Sequence, residues 1–232
     1  MRYFGGKTRI CKEIAAYLES VRHLNQVFLS PFTGGGWVES LMKDSKICGD
    51  KHKYLIAMYK ELQNGWLPPK TLTKDEYIYI KEHKDEKPYL TGFVGFGCSF
   101  AGKWFGGYAK QNGSERNYCL NAYNSIMKKM IGFNNTIFES KDYREWHPKN
   151  MLIYCDPPYK GTTQYDKQIV GNFDSEEFWK IMIEWGRCNQ VFVSEYTAPD
   201  NFKCVWQKED RLDIRSNDAS KMIRVEKLFS PT

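Results

Sequence analysis

Four consecutive residues, Asp156-Pro157-Pro158-Tyr159, gather a carboxylate, carbonyl oxygens and an aromatic face into one short loop. They follow the apolar run Met151-Leu152-Ile153-Tyr154-Cys155, which reads as a buried strand that stops at its carboxyl end. Neither proline donates a backbone hydrogen bond and each fixes its own φ, so the chain leaves the sheet as a stiff, acceptor-rich loop. A flat heterocycle with an exocyclic amine needs two acceptors for its N–H groups and a ring to stack on. This loop supplies both. The plainer reading of the same residues is a proline-rich turn with a capping aspartate.

Two further segments carry chemistry. Pro31-Phe32-Thr33-Gly34-Gly35-Gly36 follows another β-type run, and its glycines let the backbone turn tightly and approach a ligand. In a doubly wound sheet a nucleotide-like cofactor sits there, over the carboxyl ends of the strands. Asp50 ends the next strand-like run, where a carboxylate can accept from ribose hydroxyls. A glycine run alone equally marks an ordinary strand-to-helix turn, and without a Gly-Lys-Ser/Thr ending it is no Walker-type phosphate loop. Tyr3-Phe4-Gly5-Gly6-Lys7 sets a ring and an ammonium on either side of a flexible turn. The ring can stack on a base and the lysine can hold a carboxylate or phosphate; an ordinary N-terminal loop fits as well.

The elements that must hold these residues read as an interrupted α/β domain. Ile10, Ile14, Tyr17, Leu18 and Val21 recur at helical spacing, with Thr8 available as an N-cap. Strand patterns cover 27–32, 47–50, 136–138, 151–155 and 191–196. A short helix is expected over 37–43, a longer one carrying Tyr54, Leu55, Met58, Tyr59 and Leu62, and another over 117–131. Pro68-Pro69 breaks the pattern, 81–87 reads as a charged helix end or loop, and 92–113 is rich in glycine and aromatic residues. Segments 204–207 and 222–229 read as a hairpin around the polar loop 211–220. The expected organisation is a sheet domain built from residues 1–60 and 137–232, with 61–136 inserted as a second module.

At 232 residues the chain can bury a full core and fits one domain with a sizeable insertion. No apolar run approaches the length of a membrane span, and the first residues lack the apolar core of a secretory signal. Seven cysteines, an odd number without C-x-x-C spacing, suit reduced thiols in the cytoplasm. Cys48 and His52 are two lone ligands, so no metal is expected. A formal charge of +6 favours a polyanionic partner. Between 103 and 129 the chain carries Lys103, Lys110, Arg116, Lys128 and Lys129 against Glu115 alone, with Trp104, Phe105, Tyr108, Tyr118 and Tyr123 among them. That mixture suits phosphates and unstacked bases, and equally an aromatic core element with solvated lysines.

Taken in order, the three segments resemble the Dam-type adenine-N6 DNA methyltransferases (D12 class, alpha group), in which cofactor motifs precede a target-recognition insert and the catalytic motif follows it. Arg224-Val225-Glu226-Lys227-Leu228 is similar to that family's closing strand. The resemblance implies an α/β fold, a class I Rossmann-like S-adenosylmethionine-dependent methyltransferase sheet with 61–136 as a mainly helical target-recognition module. It implies S-adenosyl-L-methionine as cofactor, held by Tyr3, Lys7, Phe32, Gly34, Asp50, Asp142 and Asp156. Asp156, Pro157 and Tyr159 are implied as catalytic: two acceptors for the N6 hydrogens of a flipped adenine, and a ring to stack on it. Double-stranded DNA is the implied partner, with Lys103, Lys110, Arg116, Lys128 and Lys129 as candidate contacts. A cognate restriction endonuclease is a candidate further partner; whether one exists, and whether the chain is monomer or dimer, stays open.

Two departures stand out. The family usually has an acid just before the Pro-Phe of the glycine segment, and here that residue is Ser30. The insert lacks the Asn-Gly-Leu-x-Arg-x-Asn type segment associated with GATC-specific members and carries instead the segment 100–108, so GATC is one candidate site among others. An N4-cytosine methyltransferase would use the same amine geometry, but more often carries Ser where Asp156 stands. A catalytically silent DNA-binding subunit is the alternative from another class.

Overall fold

The computed structural model describes residues 1, 3, 5–109, 116–159, 171–211 and 223–232. Phe4, Lys110 and most of the polar loop expected over 211–220 lie outside the described residues. The strands are β1 (Phe28–Ser30), β2 (Lys46–Asp50), β3 (Thr136–Ser140), β4 (Leu152–Cys155), β5 (Gln190–Glu195), β6 (Phe202–Arg211) and β7 (Ile223–Pro231). They form one seven-stranded sheet in the order β3-β2-β1-β4-β5-β7-β6. β1 to β5 pair in parallel, and β7 runs antiparallel between β5 and β6. Every residue of β1 and β4 is buried, as expected for central parallel strands covered on both faces.

From β1 the chain moves outward to β2 and β3, then returns to β4 on the other side of β1. This reversal opens a crevice at the carboxyl ends of β1 and β4, where open α/β sheets bind ligands. β1 and β4 lie side by side, so the glycine segment and Asp156 leave the sheet next to one another. The described helices are α1 (Cys11–Val21), α2 (Lys53–Gln63), α3 (Lys74–Glu82), α4 (Pro88–Gly97), α5 (Tyr118–Met130) and α6 (Ser175–Gly186). α1 sets Ile14 and Leu18 in a cluster with Phe28, Leu152 and Tyr154 of one sheet face. α6 sets Phe178 and Met182 with Leu29, Ile153, Cys155 and Val193 of the other. None of the described helices is long and apolar enough to cross a membrane.

Some local expectations change. Thr8 does not cap α1: the cap position is Ile10, without a side-chain bond, and the Lys7 carbonyl accepts from Ile10 N at 3.0 Å and Cys11 N at 2.8 Å. The helix expected over 37–43 shrinks to a 3-10 turn, Glu39–Leu41, because Met42 is already extended and Asp44 lies at φ 54°. α6 is a helix that the strand-based reading leaves out. Its signals are Asp174, which accepts from Glu176 N and Glu177 N, and buried Phe178, Met182 and Trp185 at helical spacing.

The glycines of segment 92–113 do not all mark a loop, since Gly92–Gly97 belong to buried α4. Glycine is a poor helix former, and here close packing overrides that preference. A Cβ at Gly92 would lie 2.1 Å from the Tyr54 carbonyl oxygen, so the missing side chain lets α4 sit directly on α2. Leu55, Met58, Tyr59, Phe93, Phe96 and Ile126 form one core with Cys48 and Phe138 of the sheet. Gly92→Ala is expected to destabilise the protein by about 1–3 kcal/mol or more, because backbone, not a mobile side chain, must yield. An unchanged urea midpoint would mean that α4 is not seated on Tyr54.

Candidate active site

Tyr3, Lys7, Phe32, Gly34, Asp50, Asp142 and Asp156 all line one cleft above the carboxyl ends of the strands. Gly34 and Gly36 turn the loop after β1 at φ +47° and +64°, and a Cβ at Gly34 would meet the Tyr3 ring at 3.0 Å. Gly34 N donates to Asp50 Oδ2 at 2.9 Å, His52 N donates to Oδ1 at 2.8 Å, and Tyr59 OH donates to the Gly34 carbonyl at 3.1 Å. Burial raises the Asp50 carboxyl to about 6, and those two backbone N–H groups work against the rise. Phe32 packs against Tyr143 and Phe173 with ring centroids 5.3 and 6.1 Å away. Trp37 Nε1 and Tyr143 OH are buried without a hydrogen-bond partner, although both residues line the cleft. Such orphans point to a ligand with polar atoms of its own.

Asp142 caps a 3-10 turn and accepts from Arg144 N at 3.1 Å, Nε at 2.9 Å and Nη2 at 2.8 Å. Lys51 Nζ lies 2.8 Å away on the same carboxylate. The Arg144 bonds, and then Lys51, hold Asp142 well below the usual carboxylate range. Asp142 therefore faces the cleft already paired with two cations.

The loop after β4 carries the other half of the site. Lys7 Nζ lies 2.8 Å from Asp156 Oδ1 and 3.3 Å from Glu226 Oε1. It also donates to Tyr159 OH at 2.5 Å and sits 4.3 Å above the centre of that ring. The Tyr159 hydroxyl donates to Glu226, and Ser194 Oγ donates to the same oxygen at 2.7 Å. Burial alone would lower the Lys7 ammonium, but Asp156 and Glu226 outweigh it and hold its pKa above the ordinary lysine range. For Asp156 burial raises the pKa, Lys7 opposes it, and Glu226 adds to the rise. Asp156 and Pro158 line the cleft, whereas Tyr159 turns its hydroxyl toward β7 and Pro157 is buried behind it. Glu226 lies in the closing-strand resemblance at 224–228, which gives it no role, and Ser194 supports it from β5. The signal for Glu226 is its place two residues before buried Leu228, on the inward face of β7.

Ser30 also acquires a role. Its hydroxyl donates at 2.8 Å to Glu39 Oε1, and both residues are buried, so a carboxylate reaches the glycine loop from the turn after it. Burial pushes Glu39 up to about 7, despite the Ser30 bond. Its folded pKa lies above the ordinary value of 4.5, so its favourable contribution is fully present below about 4.5 and lost as pH rises through 7. Glu39→Gln should therefore stabilise the protein at pH 8, by roughly 1–2 kcal/mol once Lys129 has lost this nearby carboxylate, and have little effect near pH 4.5. Thermal melts of both proteins across that range check the sign.

The candidate DNA contacts do not form a single set. Lys103, Arg116 and Lys128 are exposed, none lines the cleft, and Lys110 lies outside the described residues. Lys129 is a correction. It is 6% exposed, donates to the Gly35 carbonyl and lies 3.7 Å above the Trp37 ring. It sits on the buried stripe of α5 with Cys119, Ala122 and Ile126, and burial lowers its pKa to about 7. It braces the glycine loop from beneath and is out of reach of a duplex.

This strand order with its reversed β7, and a glycine loop and an acidic strand end around one cleft, make an α/β Rossmann-like sheet of the kind that the resemblance implies. The model of the D12 class N6 adenine-specific DNA methyltransferases matches residues 3–95, which hold the Tyr3–Lys7 segment, the glycine loop and Asp50. The match spans less than half of the chain, rests on the same segments as the resemblance, and ends before Asp156-Pro157-Pro158-Tyr159. No curated protein matches the chain. Among solved structures, a candidate RNA methyltransferase from Pyrococcus horikoshii is similar at 7% identity and a TM-score of 0.44, covering 98% of this chain and 86% of its own. Precorrin-6y C5,15-methyltransferase from Geobacter metallireducens GS-15 is similar at 9% identity and TM-score 0.41, covering 99% and 93%. Magnesium protoporphyrin IX methyltransferase from Synechocystis PCC 6803, with bound S-adenosylmethionine, is similar at 8% identity and TM-score 0.41, covering 97% and 79%.

Proposed function

We propose that this methyltransferase acts on adenine N6 in duplex DNA at a specific site. The observation that supports it most is Asp156 at the end of β4, in the same cleft as the glycine loop and Asp50. S-adenosylmethionine fits that cleft: carboxylates at Asp50 and Asp156 suit hydroxyl and cationic groups, and the orphaned Trp37 and Tyr143 atoms await polar partners. Tyr3, Lys7, Phe32, Gly34, Asp50, Asp142 and Asp156 would hold it. When bound, the cofactor supplies an electrophilic methyl group on a sulfonium.

The chain's own residues do the rest. The target adenine must leave the duplex. The Asp156 carboxylate accepts one N6 hydrogen from the cleft, while Tyr159 and the Pro157 carbonyl, which do not line the cleft in this structure, would turn toward the base to stack on it and to accept the other. Those two bonds draw the amine toward tetrahedral geometry and aim its lone pair into the cleft. Lys7 fixes the Asp156 carboxylate, so little reorganisation is left for the reaction itself. Catalysis is then mostly positioning and oriented acceptors. Asp156 need not be a strong base, because the nitrogen loses its proton readily once methylated.

Segment 61–136 is our candidate for target recognition, with Lys103, Arg116 and Lys128 on backbone phosphates and a few other side chains on base edges. Replacing those three cations by alanine should flatten the salt dependence of DNA binding by about 0.9 for each phosphate they neutralise. An unchanged slope would move the DNA face elsewhere. A DNA substrate suits an enzyme of the cytoplasm, beside a restriction endonuclease where one accompanies it. The decisive experiment incubates the full chain with tritiated S-adenosylmethionine and unmethylated genomic DNA, then identifies the modified base by mass spectrometry and its context by sequencing. N6-methyladenine in one short context is expected. N4-methylcytosine, or no label in DNA, would overturn the adenine reading.

A further inference from the structure

The cluster around Lys7 has one more negative charge than positive. Asp156 and Glu226 both lie within ion-pair distance of its ammonium, and no second cation is paired with either carboxylate among the described residues. Lys7 at the centre is 9% exposed and Glu226 7%, whereas the Asp156 side chain on the cleft side is 22% exposed. Charges held this way are screened far less than surface pairs. Only Asp156 and Lys7 open on the cleft; Glu226 stands behind them on β7, fixed by Ser194 and Tyr159. With Lys7 and Asp156 alone, the pair would be neutral. Glu226 leaves that pair closed at 2.8 Å but shares the same ammonium from 3.3 Å, so the cluster as a whole carries an excess negative charge.

We infer that Glu226 sets the charge of the transfer site: by sharing Lys7 with Asp156, it leaves the cluster with one negative charge in excess and raises the site's affinity for a cation relative to its neutral counterpart. The inference rests on the methyltransferase reading above, in which the ligand before transfer carries a sulfonium and the one after transfer a neutral thioether. Glu226 would thus be a specificity-determining residue that never touches the ligand. It would help tell the spent cofactor from the fresh one.

Titration calorimetry of the full chain with S-adenosylmethionine and with S-adenosylhomocysteine tests this without any methyl transfer. Glu226→Gln keeps an acceptor for both hydroxyls but removes the charge, and is expected to shift the ratio of the two affinities against the sulfonium by at least threefold. Glu226→Asp, which keeps the charge, should restore the ratio. Ser194→Ala, which removes a neutral bond to the same carboxylate, should leave it unchanged. If the amide is not tolerated, Glu226→Ala carries the same expectation. An unchanged ratio in the charge-removing variant, with both ligands bound, overturns the inference alone. Binding of neither ligand by the wild-type chain would overturn the functional reading, and the inference with it.

Discussion

Asp156→Ala is expected to abolish methyl transfer, lowering kcat by about 10²–10³-fold or more, while the fold persists. Among the described residues, Asp156 is the carboxylate that directly follows β4 and lines the cleft. Losing one partner of a buried ion pair usually destabilises a protein strongly, because the other charge is stranded. Here the damage is limited, since Lys7 keeps Glu226 at 3.3 Å. Single-turnover transfer together with a thermal melt separates the two effects. An inactive variant with a near-native melting temperature is the expected result. A variant that still transfers methyl groups would remove Asp156 from the mechanism.

Tyr159 should produce the second large effect, and it comes in two parts. The ring lies under the Lys7 ammonium and edge-on to Tyr196, with centroids 4.8 Å apart, while its hydroxyl is tied to Glu226. Tyr159→Ala removes both parts, and base capture should weaken by about 1–3 kcal/mol if stacking dominates. Tyr159→Phe keeps the ring and cuts only the hydroxyl bonds. We expect it to bind the flipped base nearly as well as the wild type and to lose mainly in kcat, because the platform is less firmly aimed. The measurement is a fluorescence titration with DNA carrying 2-aminopurine at the target, alongside steady-state kinetics. If the alanine variant matches the wild type in both, Tyr159 is structural.

Much of this was legible in the chain because the relevant signals are local. An acid before two prolines, three glycines after an apolar run, and helical spacing in α1, α2 and α5 each announce themselves within a dozen residues. What stayed hidden depends on partners distant in sequence. Glu226 reads as an ordinary residue of a mixed strand until β7 is folded back beside β5, where it meets a lysine from the seventh position of the chain. Ser30 reads as a missing acid until Glu39 turns toward it. Lys129 looks like a solvated cation near a helix end, and only the packing of α5 on the glycine loop reveals that it is buried. The glycines of α4 mislead for a related reason: their purpose is a close approach to Tyr54, which no local pattern records.

That approach bears on how such a protein could be re-engineered. A hybrid made by cutting at residues 61 and 136 and importing a foreign recognition segment would strip the sheet of Phe93, Phe96 and Ile126, and the glycine loop of its brace at Lys129. The graft would have to bring its own glycine to sit on α2, where a Cβ at position 92 would lie 2.1 Å from the Tyr54 carbonyl oxygen. On the proposed reading, changing the DNA site by wholesale exchange is therefore a poor strategy for this scaffold. Variation confined to outward-facing positions such as Phe100 and Lys103 leaves that shared interior untouched, and is the route by which a chain built this way can diversify its targets without coming apart.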